Sequence, residues 1–465
     1  MVYSWSVATS ISGLARANQT HDRPRASEST PPSISVAAAG HSLAVDEEGQ
    51  IWTWGRNNSR GGGGNWYTYD GSGQLGVRLG DVRPTLPARI LLPPQHRAAR
   101  FAAVASGRYH SAAVTEGGEL LTWGSNDHGQ LGRRAFNASR HEEPCELGWY
   151  CRDPWPRPVQ GLPRVKRAAL GRFNSLAIDE AGQIWVWGID QCARRDWAAQ
   201  RRKGVWPNAL ASAQPRRVPI REGGQLLNFT DASAGYVHWV AVDEGGGVWT
   251  CATADDGYSG MLMDVHKGWR PVNLRHELGH QVKDFQPGRV PGVNTAVAVT
   301  AGRCSSGARL ADGSIVQWGC DNMLCMSLDG AHNWMEPRHI PNLGPGTEGG
   351  PVAQFALGEW SAAAVGVDGR FWAWGRVNVT VGPCGPSTPK LPLLLEGTVP
   401  PGSSAIALAT KHQHFLALVV KTPKARARGG GGDDDEGAED AEQEALAAAA
   451  AEGQAKSWRG RSRAA

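Results

Sequence analysis

Short apolar runs come in pairs along most of this chain, each pair joined by a polar turn that carries glycine. The clearest are HSLAVD-EEGQ-IWTWG, HSAAVT-EGGE-LLTWG, NSLAID-EAGQ-IWVWG and SAAAVG-VDGR-FWAWG, beginning at His41, His110, Asn174 and Ser361. Each run is four to six residues long and alternates or is continuously apolar. Such runs read as strands buried on one or both faces, and the polar turns between them read as short hairpin loops. Helical periodicity is scarce. Side chains two apart on a strand share a face, so Trp52 and Trp54, Trp185 and Trp187, and Trp372 and Trp374 each point to one side of a sheet.

The hairpin recurs. With His110 as reference, the equivalent positions are His41, Asn174, His238, Ser305, Ser361 and His414, at spacings of 53 to 69 residues. Eight residues on, every unit before the last has glycine, at Gly49, Gly118, Gly182, Gly246, Gly313 and Gly369. A short hairpin loop with a bulge needs one residue at positive φ, and glycine takes it without steric penalty. Thirteen on stand Trp54, Trp123, Trp187, Cys251, Trp318 and Trp374. A flat indole there can fill the gap between neighbouring sheets, and the glycine after it lets another backbone approach. A G-x-x-H corner precedes the second strand, and a GQLG follows the third in the first two units.

Units of three or four strands at this spacing, with a tryptophan layer, predict radially packed blades. The Trp-Gly motif and the G-x-x-H corner together resemble the regulator of chromosome condensation repeat family. That resemblance implies an all-β fold, a seven-bladed β-propeller. The seventh unit, ALATKHQHFLALVV, stops before its Gly and Trp, while residues 2–6 read VYSWS, like a third strand. Residues 2–6 are therefore expected to close the last blade, against the alternative of a truncated chain with an incomplete blade. Residues 7–33 read as a linker, 34–420 as the repeats, and 1–420 together as the propeller. Residues 421–465 have almost no large apolar side chains and are expected to be a disordered low-complexity tail. KARAR within that tail suits nuclear import or a merely solvated segment.

Two departures from the repeat are candidate partner sites. In the first unit the GQLG lies thirteen residues farther from its tryptophan than in the second, and the extra residues include RGGGGNWYTYD. Trp66, Tyr67 and Tyr69 then form either an aromatic contact finger or a flexible insertion folded back on the propeller. After the third unit, Arg194–Arg217 is strongly basic, with Arg194, Arg195, Arg201 and Arg202 the leading candidates for an acidic partner. A solvated loop is the alternative there.

Bulk properties narrow the classes. The net charge of +4 is too mild for a chain of 465 residues to argue nucleic-acid binding. Eight cysteines without regular spacing do not outline a disulfide framework or a metal site. No apolar run is long enough to span a membrane, and no secretory leader is visible, so a cytoplasmic or nuclear protein is expected. No phosphate loop, H-E-x-x-H or G-x-S-x-G occurs, and the recurrent histidines at strand starts read as structural hydrogen-bonding residues. The chain is therefore expected to be no enzyme, without metal or cofactor, and to bind proteins. The resemblance implies two routes: an interaction scaffold, or nucleotide exchange on a Ran-like small GTPase, the activity of the family's founding member. A plant ultraviolet-B photoreceptor shares the repeat and places Trp directly after the corner glycine. Here those slots hold Arg108, Arg172, Tyr236, Arg303 and Glu359, which sets light sensing aside.

Overall fold

The computed structural model describes residues 2–6, 25–26, 33–38, 41–55, 73–77, 87–126, 128–133, 152–189, 211–236, 238–251, 287–303, 305–320, 333–359, 361–375, 391–395, 403–410 and 414–421. The described residues form seven antiparallel four-stranded sheets, plus one two-stranded ribbon. Their helical content is a single 3₁₀ turn at Pro94–His96.

The first blade comprises Ser33–Ala38, His41–Asp46, Ile51–Gly55 and Ala88–Arg89. The second comprises Phe101–Ser106, His110–Thr115, Leu120–Ser125 and Arg152–Pro158, and the third Val165–Leu170, Asn174–Asp179, Ile184–Ile189 and Ala211–Val218. The fourth runs over Phe229–Ala234, Trp239–Asp243, Val248–Cys251 and Gly288–Arg289. The fifth uses Ala296–Ala301, Ser305–Leu310, Ile315–Cys320 and Asn333–His339, and the sixth Val352–Leu357, Ser361–Gly366, Phe371–Gly375 and Leu393–Leu394. In the seventh, Ser403–Thr410 and His414–Lys421 are joined by Val2–Ser6 and Arg25–Ala26.

The first strand of each blade is its inner edge. These inner strands touch one another in succession, and Ser403–Thr410 meets Ser33–Ala38, so the ring is closed. Val2–Ser6 pairs antiparallel with His414–Leu418, Val2 opposite Leu418 and Ser6 opposite His414, as the sequence leads one to expect. The expected linker over 7–33 contributes a strand of its own, because Arg25–Ala26 pairs with Tyr3 and Ser4 as the outer edge of this blade. Ser33, at the end of that stretch, already belongs to the first inner strand. The tail beyond Lys421 lies outside the described residues.

Every inner strand carries one extra residue near its start. The register shifts between Ser33 and Ser35, Phe101 and Ala103, Val165 and Arg167, Phe229 and Asp231, Ala296 and Ala298, Val352 and Gln354, and Ala405 and Ala407. Such bulges add local twist, which sheets arranged around an axis require.

The core lies between blades rather than within one. Trp123 of the second blade packs with Leu43, Val45 and Ile51 of the first, and Trp187 packs with Val114 and Leu120 of the second. Trp318 meets Val240, Val242 and Val248, and Trp374 meets Ile315, Ile340 and Leu343. These four indoles are fully buried, while Trp54 is half-buried. Cys251 takes the indole's place in the fourth blade, is buried, and is disulfide-bonded, a bridge that the irregular cysteine spacing did not suggest. Hydrogen bonds latch successive blades over these contacts. The Gln74 carbonyl accepts from Ser111 Oγ at 2.7 Å and Trp123 Nε1 at 2.9 Å, and the Gln130 carbonyl accepts from Ser175 Oγ at 2.7 Å and Trp187 Nε1 at 2.8 Å. The GQLG motif is thus the receiving half of a blade-to-blade joint. Its last glycine leaves room for the ring, since a Cβ on Gly76 would lie 2.9 Å from Trp123 Nε1.

Candidate interaction site at the propeller mouth

The recurrent turn and corner place two rings of backbone at opposite ends of the blades. At one end stand the turn glycines Gly49, Gly118, Gly182, Gly246, Gly313 and Gly369, all at φ between 74° and 84°. The carbonyls of the first five receive the first amides of the next inner strand, for example Phe101 N to Gly49 O at 2.9 Å and Val165 N to Gly118 O at 2.7 Å. A Cβ on Gly118 would lie 2.9 Å from Arg164 Cβ of the next blade, so glycine is required there twice over, by φ and by space.

At the other end stand the G-x-x-H corners. A Cβ on Gly107 would meet Gly171 O at 2.4 Å, one on Gly171 would meet Gly235 O at 2.1 Å, and one on Gly302 would meet Gly358 O at 2.4 Å. The Arg108 amide donates to Gly171 O at 3.1 Å, and the Arg172 amide to Gly235 O at 3.3 Å. The corners therefore press against one another around the axis. His41, His110 and His238 lock the same end: their Nε2 atoms lie 2.6, 2.8 and 3.0 Å from Ser111, Ser175 and Ser306 Oγ of the following blade. The blade after Asn174 has Trp239 in the serine column, and Asn174 donates to the His238 carbonyl at 3.3 Å. These side chains are buried joints, as their place at strand starts suggests.

With the corners in contact, the residues just after each corner glycine converge on the axis. Glu359 is 4% exposed and accepts both oxygens' worth of contact from Arg108 Nη1, at 2.8 and 2.9 Å. Arg303 Nη1 lies 3.9 Å from the same carboxylate. The Tyr236 hydroxyl donates to Glu359 and accepts from Arg108. Three guanidinium groups gather on the Tyr236 ring, with Arg172 at 4.7 Å and Arg108 and Arg303 each at 5.4 Å from its centroid. Arg172 also stacks on Phe173 at 4.7 Å, and Arg108 lies 5.5 Å from the Tyr109 ring. Burial works against the Arg108 charge, but the charges and hydrogen bonds of Glu359 and Tyr109 together outweigh it and hold the guanidinium's pKa above its ordinary value. The Arg108 and Arg303 side chains remain 24% and 19% exposed, so the cluster's outer edge faces solvent. Sequence reasoning met these five positions only as an argument against photoreception. Its signal was a column of long polar or aromatic side chains after the corner glycine in five successive units.

The candidates chosen from sequence, Trp66, Tyr67 and Tyr69 and Arg194, Arg195, Arg201 and Arg202, lie outside the described residues. The residues that flank them are informative. Gly55 pairs with His41, and Ile189 follows Gly188, which pairs with Asn174. Both insertions therefore leave the blades at the corner end, the end that carries the axial cluster. Among the described residues, no group of three His, Cys, Asp or Glu side chains is placed to hold a metal.

The family profile described as "Regulator of chromosome condensation (RCC1) repeat" matches residues 101–130 and 117–178. The chain is similar to the RCC1 domain-containing protein RUG3, mitochondrial, of Arabidopsis thaliana, 30% identical over 162 residues that make up 34% of this chain and 29% of that protein. It is similar also to human Protein RCC2, 34% identical over 162 residues, 34% of this chain and 25% of that protein. The chain thus matches less than a third of the length of either relative. Among solved structures, Prp20p from Saccharomyces cerevisiae superposes with a TM-score of 0.61 at 20% identity, covering 91% of this chain and 92% of that one, a likeness of fold. Corners, Trp-Gly strands and ring closure agree with these comparisons: residues 101–178 carry regulator of chromosome condensation repeats, and the chain has the β-propeller fold.

Proposed function

We propose that this chain is a protein–protein interaction scaffold of the regulator of chromosome condensation type, receiving its partners on the corner face. One observation carries the reading. The axial cluster and the strand ends that flank both the aromatic and the basic insertions lie on the same end of a closed ring. A rigid ring that presents charge and aromatic surface on one face suits recognition, because little ordering entropy is lost on binding. Prp20p supports this by analogy, since its structure is described with its binding to Gsp1p and histones. No helix among the described residues is long and apolar enough to cross a membrane, and a cytoplasmic or nuclear setting remains part of the proposal. The test is affinity capture from cell extract with the intact chain, a chain lacking Gly61–Asp70, and an Arg172→Gln/Arg303→Gln chain. The reading predicts a reproducible partner set that both changes deplete. Identical capture by all three folded proteins would contradict it.

A second reading, nucleotide exchange on a Ran-like small GTPase, is favoured by the aromatic insertion at Gly61–Asp70, which in sequence follows a strand that ends at the corner face. Labelled-GDP release from Ran checks it: acceleration at micromolar chain supports exchange, and an unchanged release rate removes it for Ran.

A further inference from the structure

The axial cluster is built around a carboxylate. Glu359 is held by Arg108 through both oxygens, by the Tyr236 hydroxyl, and by Arg303 at longer range. One guanidinium nitrogen, Arg108 Nη1, spans both carboxylate oxygens, and charge-assisted bonds of this kind are the strong ones. The guanidiniums are also set in place in advance. Arg172 is stacked between the Tyr236 and Phe173 rings, and Arg108 and Arg303 lie against Tyr236. Stacked arginines lose less rotamer freedom when an anion arrives than free surface side chains do. Formal charge points the same way: in these five slots three guanidiniums stand with one carboxylate, and that carboxylate is the deepest member, at 4% exposure against 24% and 19% for Arg108 and Arg303. A carboxylate arriving from solvent meets the arginines first.

We infer that the mouth is a docking site for an acidic segment of a protein partner, an Asp or Glu side chain of that segment sharing the arginines that Glu359 now holds. The inference rests on the scaffold reading and specifies the chemistry of the partner. Glu359 is a positioning residue: it fixes the guanidiniums and competes with the incoming carboxylate. The two roles separate experimentally. A group that is merely structural leaves affinity unchanged or lowers it when neutralised, whereas a competing internal carboxylate raises affinity when removed.

The test is fluorescence anisotropy of the full chain with a labelled twelve-residue Asp/Glu peptide. An equally long lysine peptide and inorganic phosphate as competitor are the comparison arms, and thermal melting confirms folding of each variant. The acidic peptide should bind, the lysine peptide should not, and rising salt should weaken the complex. Arg303→Gln should weaken it by about tenfold, the worth of one charge-assisted bond. Glu359→Gln should tighten it by about threefold or more. If Glu359→Gln does not fold, Arg303→Gln alone decides. Equal affinity of wild type and Arg303→Gln, no binding of the acidic peptide, or displacement of that peptide by phosphate at equimolar concentration would overturn the inference. Should the peptide fail while affinity capture still loses partners in the Arg172→Gln/Arg303→Gln chain, the scaffold reading survives and the acidic partner does not.

Discussion

Asp46, Asp179 and Asp243 show how one side chain shapes a hairpin and its tryptophan together. In each, Oδ1 accepts the amide four residues on, at 2.7, 2.8 and 2.9 Å, and Oδ2 accepts the indole of Trp52, Trp185 or Trp249, at 2.7, 2.8 and 2.8 Å. The second blade has Thr115 and Leu121 in these columns, and the fifth has Leu310 and Val316, so carboxylate and indole are lost as a pair. In the sixth blade the column holds Gly366, and Trp372 Nε1 is buried without a hydrogen-bond partner among the described residues. The fifth and sixth blades restore the turn from two positions on: Ser314 N donates to Asp312 at 2.8 Å and Arg370 N to Asp368 at 2.9 Å. The hydroxyl and amide of Ser314 hold the Asp312 carboxyl below its ordinary pKa. That bond contributes its full, small stabilisation above the ordinary carboxylate pKa and loses it as pH falls through the lowered value. Ser314→Ala should therefore be less stable than wild type near neutrality, with the difference shrinking in acid, as urea melts at several pH values would show. A second comparison isolates the inter-blade latch. Trp187→Phe removes the bond to the Gln130 carbonyl, whereas Trp318 Nε1 has no hydrogen-bond partner among the described residues. Both variants lose ring volume, so Trp187→Phe should cost about 1 kcal/mol more than Trp318→Phe by chemical denaturation. The tryptophan and glycine columns were legible because their side-chain demands repeat. Their hydrogen-bond partners were not, because they lie one blade away, at separations such as the 57 residues between Gln130 and Trp187.

At the scale of the strand and the blade, legibility followed periodicity. Paired apolar runs with a glycine turn located the second and third strands of nearly every blade. The inner-strand bulge left no trace, because its slot holds Ile34, Ala102, Lys166, Thr230, Val297, Ala353 and Ile406, with no shared chemistry. It is a property of pairing and twist, not of residue type. The short outer strand Arg25–Ala26 was equally hidden, since two residues carry no period. The turn itself is open to test. Gly118→Ala forces a Cβ at φ 84° against Arg164 and should destabilise by more than about 1 kcal/mol. The seventh blade offers a larger one. Removing residues 1–8 strips the strand that covers His414–Leu418 and leaves an open edge. The melting temperature should fall by on the order of 5 °C or more, since several ladder bonds are lost together. An unchanged melting curve would mean that the ring does not depend on this strand.

For the whole molecule, closure of the ring turns a set of eroded repeats into a body with two distinct ends. One end carries glycine turns tied to the next blade. The other carries corner glycines in contact, the Arg108–Tyr236–Glu359 cluster at the axis, and the departure points of the insertions. The sequence displayed every residue of the cluster in a single column, yet a column becomes a site only when seven units are bent around one axis. Which end meets partners is therefore the question on which the functional account turns. The direct measurement is site-specific photocrosslinking from Tyr109, beside the axial cluster, and from Val367, which is 64% exposed at the turn end of the sixth blade. With a benzophenone residue at each position in turn, partner adducts should form from position 109 and not from 367. Adducts of equal yield from 367, or adducts from 367 alone, would contradict the account.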